Sequence, residues 1–95
     1  MKVTFEPAAR DDLDHIFAWI SQDSPRAARD MIARIERKVM RLEQLAQMGR
    51  PGLVEGTREL LEWPYIIVYR VDLERQEVVI IAVAHGAQNR DRETP

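Results

Sequence analysis

Apolar residues recur along this chain with two different periods. Leu13, Ile16, Phe17 and Ile20 lie three or four positions apart, which places them on one face of an amphipathic helix. Pro7 suits the first turn of that helix, where a missing N–H costs nothing. Ser24-Pro25 is a second start signal: a capping hydroxyl followed by proline at the first helical position. The long helix it opens carries Ala28, Met31, Ile32, Ile35, Val39, Leu42 and Ala46 in one stripe. Only a few residues separate the two helices, so they are expected to pack as an antiparallel hairpin. Gly49-Arg50-Pro51-Gly52 reads as the end of the second helix. Val3-Thr4-Phe5 reads as a short leading strand. Later strands are expected near Thr57 to Leu61, from Tyr65 to Val71 and from Val78 to Ala84, with Leu73-Glu74-Arg75-Gln76 turning the last pair into a hairpin. The expected fold class is α+β, in the order β-α-α-β-β-β, with the N-terminal helical hairpin packed on one face of a small, mostly antiparallel sheet. Residues 1–95 make one domain, and the polar segment 86–95 is expected to be a flexible tail.

Tyr65-Ile66-Ile67-Val68-Tyr69 departs from the alternation of a half-buried strand, being apolar at every position. Alternate residues of a strand point to opposite faces. Tyr65, Ile67 and Tyr69 are assigned to the helices, which leaves Ile66 and Val68 on the open face. Contiguous exposed apolar surface marks a partner site. The alternative is a central strand covered on both sides by its own chain. Trp19 and Met40 lie off the buried stripes by helical angle and are candidate contacts for the same partner. Trp63-Pro64 reads as a turn with a packed ring.

Composition narrows the classes. A chain of 95 residues, 45% hydrophobic and 32% charged, is a globular domain able to form one core. It has no cysteine, hence no disulfide framework and no thiolate chemistry, which fits a reducing, cytoplasmic location. Met1-Lys2 leads into a strand and not into an apolar targeting segment. No apolar run approaches the roughly 20 residues that span a bilayer, so no membrane role is expected. The net charge of −2 argues against a dedicated nucleic-acid binder, and no sequence-specific DNA binding by this chain alone is expected. Arg26, Arg29, Arg34, Arg37, Lys38 and Arg41 make the second helix basic; such charges form a solvated face or, as the alternative, bind a polyanion. Asp11, Asp12, Asp14 and His15 suggest a metal, but acids in a first helical turn are favoured by the helix dipole in any case. No metal and no cofactor are expected. Arg58-Glu59 could be a catalytic pair, although adjacent strand residues face opposite ways. His85, at a strand end, is either a general base or a hydrogen-bonded structural histidine.

Several segments in order also resemble the ParE/RelE superfamily of type II toxin–antitoxin toxins. They are Pro7-Ala8-Ala9-Arg10-Asp11-Asp12-Leu13, Ser24-Pro25-Arg26-Ala27-Ala28, Gly49-Arg50-Pro51-Gly52, Gly56-Thr57-Arg58-Glu59-Leu60, Tyr65-Ile66-Ile67-Val68-Tyr69-Arg70-Val71 and Ala84-His85-Gly86. The resemblance implies a compact toxin held inactive by a cognate antitoxin whose tail folds on it. Ile66, Val68, Trp19 and Met40 are then the expected antitoxin contacts. RelE-like members cut messenger RNA on the ribosome; ParE-like members poison DNA gyrase. RelE-like nucleases typically place arginine just inside the third strand, at the position matching Ile66, and arginine, histidine or tyrosine past the last strand, where this chain has Gly86-Ala87-Gln88. Metal-free RNA cleavage needs acids, bases and cations converging on one face, so the chain is closer to ParE. The expected function is a non-enzymatic gyrase poison of a plasmid-stabilising type, neutralised by a ParD-like antitoxin. The alternatives are a ribosome-dependent endoribonuclease using Arg58, Glu59 and His85, and a degenerate protein that retains only antitoxin binding.

Overall fold

The computed structural model describes residues 1–86. Strand β1 (Lys2–Phe5) leads into helix α1 (Pro7–Ser21), and helix α2 (Pro25–Met40) returns antiparallel to it. A 3₁₀ turn follows at Arg41–Glu43, and then β2 (Arg50–Pro51), β3 (Thr57–Glu62), β4 (Tyr65–Asp72) and β5 (Glu77–His85). The sheet order is β1-β5-β4-β3-β2. Strand β1 runs parallel to β5, and the other pairings are antiparallel. The helical hairpin covers one face, as expected. The expected tail lies outside the described residues apart from Gly86.

Local signals account for the element ends. The Ser24 hydroxyl accepts a hydrogen bond from the Ala27 amide at 3.1 Å, and Pro25 stands at the start of α2. Arg37 and Lys38 in the last turn of α2 face the negative end of the helix dipole. The helix stops at Met40, earlier than the apolar stripe implied. The stripe outlasts the helix because Leu42 is buried from the 3₁₀ turn, while Ala46 packs against the core from the following loop. The reading of Gly49-Arg50-Pro51-Gly52 as the end of the second helix is corrected: the helix ends nine residues earlier, and Arg50 and Pro51 pair with Glu59 and Arg58 as a fifth strand.

Ile35, Val39 and Leu42 meet Leu60, Tyr65, Ile67 and Tyr69 from the sheet, with Leu13 and Ile16 closing the core from α1. Two assignments are corrected. Phe17 is 38% exposed, in the outer groove between Leu13 and Ile32. The Trp63 ring does not pack as expected: it is 69% exposed at the turn between β3 and β4.

A buried tyrosine hydroxyl needs partners. Tyr69 donates to the Ala46 carbonyl at 2.9 Å and accepts from the Gly49 amide at 2.9 Å. It therefore pins the loop after the 3₁₀ turn against the sheet. Burial pushes the Tyr69 pKa up; the Gly49 hydrogen bond and the nearby Arg58 charge pull the other way.

Candidate functional site

The register of β4 settles which side chains share the open face. Ile66 lies between Leu61 and Ala84, Val68 between Glu59 and Ala82, and Arg70 between Thr57 and Val79. Tyr65, Ile67 and Tyr69 turn to the helices, as expected. The exposure assigned to Ile66 is corrected: its side chain is only 5% exposed. Gly86 is buried, and its amide donates to the Pro64 carbonyl at 2.8 Å. A Cβ on Gly86 would lie 3.9 Å from Ile66 Cδ1, so Gly86 sits beside Ile66. Val68 is half-buried and Leu61 exposed, and they carry the accessible apolar surface of this face.

Charges flank that strip. Glu59 is buried and takes Arg50 Nε at 3.1 Å and Nη2 at 3.0 Å on the same oxygen. Arg70 Nη1 lies 3.9 Å from Glu6 Oε1. On the covered face, Glu62 receives Arg34 Nη2 at 2.8 Å and has Lys38 Nζ at 3.8 Å. These contacts tie α2 to β3 and pair Arg34 and Lys38 with Glu62, although Arg34 stays exposed.

Arg58, Glu59 and His85 do not converge. Arg58 turns to the helix side and donates to the Gly49 carbonyl at 2.7 Å and to the Gln47 carbonyl at 3.4 Å. Glu59 faces the opposite side with Arg50. His85 stands opposite Tyr65, whereas Arg58 stands opposite Tyr69. Four residues of β4 separate those positions, about 13 Å along a strand. The Tyr65 and His85 rings meet edge to face, with centroids 5.7 Å apart, and burial pushes the Tyr65 pKa up.

Trp19 and Met40 are both exposed, at 70% and 51%, but they line separate hollows. Trp19 belongs to a cleft formed with Asp12, His15, Ile16, Tyr65, Val83, Ala84 and His85. Met40 lies on the outer side of α2 with Ala33, Glu36, Arg37 and Arg41. Within the acidic run of α1, Asp12 ties the helix to the sheet, because its Oδ2 accepts the Val83 amide of β5 at 2.9 Å. Among the described residues, no group of three or more histidine and acidic side chains is arranged to hold a metal ion. No helix among them is long and apolar enough to cross a membrane.

Sequence reasoning missed the Tyr69 bridge, the Asp12 contact and the cleft. The first had a signal, since a tyrosine inside an apolar strand needs a partner for its hydroxyl. The others join residues far apart in the chain and left none.

Comparisons with known proteins agree with this architecture. The family model described as ParE toxin of type II toxin-antitoxin system, parDE, matches residues 3–90. The protein Y4kP of Sinorhizobium fredii is 42% identical over 78 residues, covering 80% of this chain and 78% of the relative. A chromosomal ParDE system from P. aeruginosa contains a chain with a TM-score of 0.78 and 29% identity, covering 90% of this chain and 95% of that one. A chain of the toxin–antitoxin complex RelBE2 from Mycobacterium tuberculosis gives a TM-score of 0.68 and 28% identity, covering 88% and 95%. A helical hairpin on this mixed sheet, with these matches, defines a ParE/RelE-class toxin of a type II toxin–antitoxin system. Within that class, the chain belongs to the ParE toxin family.

Proposed function

We propose that this toxin acts by binding and not by catalysis: it poisons DNA gyrase in the cytoplasm and is neutralised by a ParD-like antitoxin. The observation that carries this reading is how the charges on the sheet are used. Cutting RNA without a metal requires cations aimed at the developing phosphorane and an acid–base pair beside it. Here Arg50 is held by Glu59, Arg70 lies near Glu6, Arg58 is bonded to backbone carbonyls, and the Ile66 position is apolar and buried. Losing one well-placed donor commonly lowers a rate by about 100- to 1000-fold.

The ribosome-dependent endoribonuclease remains the alternative, favoured by the likeness to the RelBE2 chain. Primer extension on ribosome-bound message separates the two. Purified chain is expected to leave the message intact. Codon-positioned cuts that disappear with His85→Ala or Arg58→Ala would overturn the binding mechanism. A folded protein that neither cuts message nor affects gyrase would be the third reading, an antitoxin-binding chain without this toxicity.

The antitoxin is expected to cover the open face at Val68, next to the largely buried Ile66, and the hairpin surfaces carrying Trp19 and Met40. Val68→Asp should weaken antitoxin binding by about tenfold or more. It places a charge in an apolar contact and sets it directly opposite Glu59. Calorimetric titration of the folded variant measures the effect. Unchanged affinity would remove the open face from the antitoxin surface.

A further inference from the structure

The cleft between α1 and the end of β5 borders the core at Ile16, Tyr65 and Val83 and also carries polar and aromatic side chains. Its volume is about 570 Å³. Both histidines of the chain line it, together with Trp19 and Tyr65. The cleft also contains a carboxylate. Asp12 Oδ2 is engaged by the Val83 amide, and its other oxygen has no hydrogen-bond partner among the described residues. Aromatic faces around a carboxylate suit a planar cation, which stacks on the rings and donates to the acid. Of the neighbouring exposed charges of α1, Asp11 and Asp14 carry the same sign as Asp12, while Arg10 lies over the Phe5 ring and does not line the cleft. The exposed arginines Arg26, Arg29 and Arg37 of α2, and Arg41 of the following 3₁₀ turn, do not line the cleft.

The sheet indicates the kind of molecule that brings this cation. Strand β1 pairs with β5 only from Glu77 to Ile80. From Ile81 to His85, the outer side of β5 has no strand neighbour among the described residues. The Val83 amide points to that outer side, where Asp12 meets it. An extended polypeptide can run along this border and drop one side chain into the cleft beside it.

We infer that the cleft of Asp12, Trp19, Tyr65 and His85 receives an arginine side chain from an extended segment of the antitoxin. This rests on the toxin–antitoxin reading above. Guanidinium is preferred to ammonium because its plane stacks on Trp19 while its N–H groups reach the carboxylate. The rest of that antitoxin segment can be acidic, meeting the arginines of α2, so one basic anchor fixes its direction on the hairpin.

The test uses the full chain and the purified protein encoded by the adjoining reading frame, titrated by calorimetry. Asp12→Asn removes the charge and keeps an acceptor for the Val83 amide. Trp19→Leu removes the π face and keeps apolar bulk. Each is expected to weaken binding about 5- to 30-fold, the range of one desolvated cation–π or charge contact. Replacing the antitoxin's arginines by methionine one at a time should reveal one that costs about tenfold against the unmodified toxin and less than about twofold against Asp12→Asn. Folded variants that bind the antitoxin as tightly as the unmodified chain, or an Asp12 effect coupled to no arginine, would overturn the inference alone. Failure of the unmodified chain to bind would overturn the antitoxin reading as well.

Discussion

Gly49→Ala is expected to destabilise the protein by about 3–5 kcal/mol, a large share of the roughly 5–15 kcal/mol that holds a domain together. A Cβ there would lie 2.6 Å from Tyr69 Oη and 2.8 Å from Tyr69 Cε1. It would also lie 2.8 Å from the Glu59 carbonyl oxygen, a backbone atom of β3. None of these atoms is the loose end of a flexible chain. The Tyr69 ring is fully buried, and its hydroxyl is held from both sides by Gly49 and Ala46. Relief therefore requires the loop to lift, which breaks those hydrogen bonds and the Arg58 contacts to the Gly49 and Gln47 carbonyls. Urea unfolding of the variant measures the cost. A loss below about 1 kcal/mol would mean that the loop does not sit against Tyr69 as described.

Ile35→Ala is expected to cost about 2–5 kcal/mol by the same measurement. Ile35 is 0% exposed and shares a core with Val39, Ile67 and Tyr69. Truncating it removes the apolar contacts of its longer side chain and leaves a cavity between α2 and β4. Rigid elements on both sides limit how far that space can collapse. A cost under about 1 kcal/mol would show that this stripe is not the core face of α2.

Both substitutions test features that the sequence revealed unequally. The Ile35 stripe was legible because helical periodicity is local: residues three and four apart share a face whatever they pack against. The facing of β4 was legible for the same reason, since alternation fixes which side Tyr65, Ile67 and Tyr69 occupy. Strand β2 was not. Two residues show no period, and Arg50-Pro51 between two glycines carries the same punctuation as a helix end. Its strand character comes from pairing with Arg58 and Glu59.

Surface exposure was harder to read than facing. Ile66 does point to the open face, but Gly86 lies beside it and only 5% of Ile66 is exposed. No local pattern announces that neighbour. Phe17 fits the α1 stripe by spacing, yet it sits at the stripe's edge, where α2 leaves it half uncovered. The candidate site was legible only in part. That Arg58 and Glu59 face opposite ways followed from strand geometry, and Trp19 and Met40 stood out by helical angle. The cleft joining Asp12 to Val83 depends on a contact across 71 positions of sequence, which periodicity cannot show.

The most direct test of the proposed mechanism is gyrase supercoiling by purified enzyme, with this chain added alone and then together with its antitoxin. The expected result is loss of supercoiling with cleaved DNA trapped on the enzyme, retained by His85→Ala and reversed by the antitoxin, since a binding poison needs no general base. Supercoiling that proceeds undiminished in the presence of an excess of correctly folded chain would contradict gyrase as the target.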